Sequence, residues 1–304
     1  MKSTFSIGRY FMISRKFRIA RSLVIGHSNA LLRALMLSPM ICSIANAGIF
    51  EIEIGAFFSQ TSTDIEVYDP TAQQYVDLNF ESGLNLPHDD VLPYLDLEYR
   101  FNDNHQIYLD WRRLHRNGFQ DYVANPFQLK IDGHLYTVGG EADLLTTLNI
   151  DIVRLGYGYR FYDSEHLDIH FLAGFHVTSL EFGMRGEIDV EVSENASPDT
   201  TIVAEGFNSG ITAPLPNIGF LIEHRIRNDI LLKSHAHAFY LKYDEISGWM
   251  YELEMAARYY VTDDFSITGS FNYYDLGVGY EAEHTNLKVD YQFFGPMLKM
   301  AYRF

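Results

Sequence analysis

The chain has 304 residues, with 23 Lys or Arg against 40 Asp or Glu, a net charge of −17 at pH 7, and a single cysteine. So acidic a chain is a poor partner for nucleic acid. One cysteine allows no internal disulfide, so stability has to come from burial and backbone hydrogen bonds.

Residues 1–47 carry Lys2, Arg9, Arg15, Lys16, Arg18, Arg21 and Arg33 and no acid, then an apolar run from Ala34 to Ile44, then Ala45-Asn46-Ala47. A basic region, a short apolar stretch and a small-x-small ending make the pattern of a cleaved secretory signal peptide. The apolar run is too short for a membrane-crossing helix, which needs roughly 20 residues. The mature chain is expected to be one domain, 48–304, and Cys42 would leave with the signal.

From residue 49 onward, apolar and polar residues alternate with period two, the strand signature. Strands are expected near 49–60, 91–101, 105–116, 143–161, 166–181, 215–227, 230–243, 249–261, 265–275 and 287–304. Tight polar reversals follow alternate strands, at 102–104, 162–165, 227–229 and 262–264. The opposite connections, 61–90, 117–142, 182–214, 244–248 and 276–286, are mostly longer, and 64–80 and 186–207 have the Val, Ile, Thr and Tyr content of further strands. Short turns on one side and long loops on the other are the build of a transmembrane antiparallel up-and-down β-barrel. The expected fold is thus all-β, with ten strands and with eight or twelve as alternatives.

Five of the alternating stretches run into an arginine and then an apolar or aromatic residue: Arg100, Arg160, Arg225, Arg258 and Arg303. Strands that run the same way end at the same membrane surface, so these five are expected to form a ring at the periplasmic mouth. The polar faces collect nine acids and nine bases. Glu51, Glu53, Glu98, Asp168, Glu223 and Glu254 are the expected acidic partners of the ring, and the others are Asp96, Asp110, Glu252, Arg112, Arg154, Lys233 and Lys299. A barrel of this size is filled by side chains, so cross-paired charges should plug it. The competing reading is a narrow porin or small-solute channel with the ring as an anion filter.

His235 and His237 share an inward face and are weak candidates for a metal, which would need a third ligand. No metal or cofactor is expected. At the predicted outer rim, His88, Asp89 and Asp90 are of the residue types that activate water, and outer-membrane proteases of the omptin type place Asp and His there. No second Asp-His element of that pattern is evident; Asp244, Glu245 and His284 are candidates by position only. A rim that holds divalent cations against lipopolysaccharide phosphates is the plainer reading.

The final register sets Tyr302 and Phe304 on one apolar face, and it resembles the C-terminal β-signal read by outer-membrane assembly machinery. Leu92-Pro-Tyr-Leu-Asp-Leu-Glu-Tyr-Arg-Phe-Asn-Asp-Asn-His105, with Ile107 to Trp111, resembles an uncharacterised group of proteobacterial outer-membrane proteins. That resemblance implies the barrel fold, the bacterial outer membrane, and outer-membrane lipid, lipopolysaccharide and the assembly machinery as partners. It transfers no catalytic residue. The function expected is non-enzymatic: a plugged barrel with long acidic outer loops. The alternatives are the channel and a rim hydrolase.

Overall fold

The computed structural model describes residues 48–304 apart from 70–72, 132–133, 187, 193–200, 205–206, 244–245 and 283–284. The segment read as a signal peptide, with Asp244, Glu245 and His284, lies outside the described residues.

In chain order the elements are β1 (Ile49–Asp69), β2 (Gln74–Asn79), a single helical turn α1 (Phe80–Gly83), β3 (Asp89–Asn102), β4 (His105–Ile131), β5 (His134–Asp163) and β6 (Leu167–Arg185). They continue with β7 (Ile188–Val192), β8 (Thr201–Ala204), β9 (Phe207–Arg227), β10 (Ile230–Tyr243), β11 (Ile246–Tyr260), β12 (Phe265–Ala282) and β13 (Thr285–Arg303). Antiparallel pairing runs from β3 through β4, β5, β6, β9, β10, β11, β12 and β13 to β1, and β1 pairs back onto β3. Ten strands therefore close on themselves, as expected. The seam runs from Glu51↔Arg303 to Ile65↔Val289, and beyond it the Phe304 N–H donates to the Phe50 carbonyl at 2.8 Å. Closure matters physically, because a sheet with no free edge is the only sheet whose backbone polar groups are all satisfied in lipid.

The outward faces show where lipid lies. On β13 the outward residues Phe294, Pro296, Leu298, Met300 and Tyr302 are all apolar or aromatic, and on β1 so are Phe50, Ile52, Ile54, Ala56 and Phe58. Toward the long-connection end the outward residues turn polar at one level: Phe294 gives way to Gln292, Phe58 to Gln60, Trp111 to Arg113, Val153 to Asp151 and Tyr273 to Asp275. Each strand thus spends about ten residues in the apolar belt, which at a rise of about 3.3 Å and a tilt of about 45° spans about 25 Å. Aromatics crowd both margins, with Tyr99, Tyr159 and Tyr302 near the short turns and Trp111, Trp249 and Phe294 near the other side.

The strands do not stop at the belt. The expected loops 117–142 and 276–286 are continuations of hairpins, with Ile131↔His134 and Ala282↔Thr285 as their last rungs. The expected extra strands are present: β2 pairs the far half of β1 from Asp64↔Asn79 to Asp69↔Gln74, and β7 pairs β5 and β8. Above the belt the pattern is inverted, with Val123, Phe127, Leu129 and Val138 buried inside and polar residues outside beside the exposed Tyr75, Phe119 and Tyr122.

Candidate functional site in the barrel lumen

At the level of the belt the lumen is a charged network. Arg258 bonds Glu51 at 2.5 Å and Glu53 at 2.6 Å, Arg303 reaches Glu51 at 3.2 Å, and Lys299 bridges Glu254 at 2.5 Å and Glu53 at 3.1 Å. Arg100 pairs with Glu98 and, at 3.4 Å, with Glu223, which also meets Lys233 at 3.4 Å. Arg160 sits 3.6 Å from Asp168 and 3.4 Å from Asp163. Every acid expected to partner the ring is therefore in an ion pair. Arg225 departs from the ring: it is exposed at the periplasmic end and makes no ion pair among the described residues. It keeps the inward register of Leu221 and Glu223, opposite the buried Leu231, and stands beyond them at the open end of the lumen.

Deeper in, Arg154 donates at 2.5 Å to both Asp110 and Glu252, and Arg112 closes on the same Glu252, whose other support is the Asn272 amide at 3.2 Å. These side chains are all buried. Stripping ions of water costs several kcal/mol each, so such a set persists only when each charge is met by another. Gly156 and Gly158 on β5 make the space: a Cβ on the first would lie 2.3 Å from the Tyr108 ring, and one on the second 2.7 Å from the Gln106 side chain.

His235 and His237 do find a third group, because one ligand atom from each and one from Glu252 lie within 4.8 Å of one another. The donor set nevertheless does not suit a cation. Glu252 is held by two guanidinium groups, and His237 is engaged on one side by Arg154 at 2.9 Å and on the other by the Tyr108 hydroxyl at 3.2 Å. An incoming metal would face Arg112 and Arg154.

Above this network the lumen turns apolar. Phe293 packs on Phe57, with centroids 5.4 Å apart, and stacks on Tyr274 at 4.4 Å, while the Tyr274 hydroxyl bonds the His176 ring at 2.7 Å. Met250, Leu276, Ile150, Leu148 and Leu180 continue the same buried core. The first outer connection folds in over it, with Phe80 of α1 packed on Phe182 at 5.2 Å and Leu84 and Leu86 fully covered. Arg116, itself buried, holds this connection down through Glu81 at 2.5 Å, the Pro87 carbonyl at 3.0 Å and Thr63 at 2.5 Å, and the Thr63 N–H donates to Glu81 at 2.8 Å. Sequence reasoning missed this clamp. Its available signal was the apolar Phe80, Leu84 and Leu86 inside a supposedly solvated loop.

No protein-family model and no curated protein sequence matches the chain. Among solved structures, the fold resembles the outer membrane protease OmpT of Escherichia coli, with TM-score 0.52 and 14% identity over 88% of this chain and 100% of that one. The translocator domain of the autotransporter NalP from Neisseria meningitidis (TM-score 0.39, 9% identity, 86% and 90% covered) and OprG from Pseudomonas aeruginosa (0.34, 12%, 85% and 96%) also match. The chain has the fold of an outer-membrane β-barrel. In barrels of this fold the short turns face the periplasm, and Ile49 of β1 and Arg303 of β13 lie at that end.

At this level of identity the likeness to OmpT is one of fold. His88, Asp89 and Asp90 stand at the long-connection end, where β3 begins. His88 and Asp89, 3.5 Å apart, are strongly exposed, and Asp90 accepts the Val91 N–H at 2.7 Å. Asp89 points outward and Asp90 inward, as neighbours on a strand must, so the two carboxylates do not converge. Tyr302 and Phe304 lie on the exposed face of the seam with ring centroids 4.9 Å apart.

Proposed function

We propose that this barrel is a sealed, non-catalytic surface protein whose working parts are the extracellular strand extensions, which contact lipopolysaccharide and external ligands. The observation that carries the reading is the apolar core of the outer half, from Phe57, Tyr274 and Phe293 up to Phe80 and Leu84, lying across the path of any solute that has passed the charged lumen. A water-filled pore needs a polar lining through its length, and dewetted apolar constrictions oppose ion passage. The arginines then serve as a closing belt of ion pairs. Just above the lipid belt the outward residues Arg113 and Lys288 stand among Asp64, Asp89, Asp151 and Asp290. At headgroup level, cations of this kind meet phosphate, and carboxylates share divalent ions with it.

Purified protein inserted in planar bilayers is expected to give no conductance steps. Steady anion-selective steps would instead support the arginine filter and end the sealed-lumen reading. Hydrolysis of a peptide panel that is lost on Asp90→Asn would overturn the non-catalytic assignment.

A further inference from the structure

The lumen network leaves one acid over. Arg225 is exposed at the lumen's end, the other bases are taken up by other acids, and the carboxyl group without a base is Asp96. Across the strands it stands directly opposite Glu53 on one side and Asp110 on the other, and it makes no ion pair or hydrogen bond among the described residues. The bases around it are committed elsewhere: Lys233 to Glu223, Lys299 to Glu254 and Glu53, Arg258 to Glu51 and Glu53, and Arg154 to Asp110 and Glu252.

Asp96 lines a pocket of about 70 Å³ within the lumen. A second polar group lines it without a partner: Gln106, only 3% exposed, makes no hydrogen bond among the described residues. The cavity also has one apolar wall in an otherwise charged lumen. Tyr108, Leu172 and Leu221 form their own small buried cluster, and Leu172 lies beside Gln106 over Gly158. A carboxyl group without a base, a free amide and an aliphatic-aromatic wall suit an organic cation. A bare divalent ion is suited less well, because among the described residues Asp96 joins no group of three converging ligand atoms and such ions take six or more oxygens.

We propose that this cavity binds a small primary ammonium ion, with its charge on Asp96, a hydrogen bond to the Gln106 amide oxygen, and its alkyl carbons against Tyr108, Leu172 and Leu221. The amine supplies the counter-charge that Asp96 lacks, and the aromatic face adds a cation–π contact. The proposal does not depend on whether the lumen conducts.

The test is calorimetric titration of the full mature chain in detergent with n-propylammonium chloride, alongside n-propanol and sodium chloride at matched ionic strength. Saturable one-to-one binding of the ammonium ion is expected, with none for n-propanol and at least tenfold weaker binding for sodium. Asp96→Asn should weaken ammonium binding at least tenfold and Gln106→Leu several-fold. Both variants are to be checked for the folded band on unheated SDS gels, and Gln106→Leu carries the test if Asp96→Asn fails to fold. Absence of saturable heat from the wild-type chain, equal affinity for sodium, or unchanged affinity in the folded variants would overturn the site.

Discussion

The membrane-level half and the extracellular half of this barrel are built from the same ten strands with opposite faces. In the first, lipid takes the apolar residues and the lumen holds ions; in the second, water takes the polar residues and the lumen holds a hydrophobic core. On β13 the switch falls within a few residues, from outward Phe294 and inward Lys299 to outward Gln292 and inward Tyr291 and Phe293. What surrounds the wall decides which face is apolar, while the wall itself continues unchanged. The two halves should therefore fail differently when perturbed.

The largest effect is expected in the charged half. Arg154→Met leaves Asp110 with only a distant Arg112 and unbalances Glu252, and breaking a buried set of this kind costs about 3–5 kcal/mol. Urea unfolding of the variant in detergent, followed by tryptophan fluorescence, should show that loss. Replacing Asp110, Arg154 and Glu252 together by apolar residues of similar volume should cost less than the single change, because no charge is then stranded.

In the apolar half, Phe293→Ala removes a side chain that is 1% exposed and stacked on Tyr274. A cost of about 3 kcal/mol follows from the cavity alone. The same variant should admit water to the core, so bilayer recordings that are silent for wild type should show brief openings. Silence in the variant would mean that other residues of the core carry the seal.

The next effect in size concerns the cap. Glu81→Gln weakens the hold of Arg116 on the first outer connection, at a cost of about 2 kcal/mol for a charged hydrogen bond lost to a buried guanidinium. Limited proteolysis should then cut within 73–88 faster than in wild type, with the barrel strands left intact.

How much of this was legible in the sequence follows from the same contrast. Period-two alternation located all ten strands and assigned their faces wherever lipid is the outer solvent, and the five arginine endings marked the short-turn end. The strand extensions were harder to read because the meaning of the pattern flips above the belt. Phe127 and Leu129 step by two as Leu97 and Tyr99 do, yet they point inward. Charge pairing could be expected but not apportioned, since a nine-to-nine tally does not say that Arg225 stays exposed or that Asp96 is left without a base. The Arg116–Glu81 clamp joins residues 35 apart and needed the connection to fold inward first.

The smallest effect lies on the outer surface of the extensions. Partial burial raises the pKa of Asp290; Lys288 opposes this, and Asp77, Asp275 and Asp64 add to it. An acid whose folded pKa is raised binds its proton more tightly in the folded state, so its contribution favours the fold at low pH and is lost as pH rises through the folded pKa. Asp290→Asn should remove that loss, giving a slightly higher melting temperature at pH 7 and no gain at pH 3. A gain of the same size at both values would show that charge repulsion is not its cause.

The most direct test of the inverted wall is a single-cysteine scan along β13 in a Cys42-free background, reconstituted in vesicles and read with lipid-borne and water-borne quenchers of a thiol-linked fluorophore. Positions 294, 298, 300 and 302 should be quenched from lipid, 288, 290 and 292 from water, and 291, 293, 297 and 299 from neither. Lipid quenching that continues through 292 and 290, or water quenching at 291 and 293, would contradict the account.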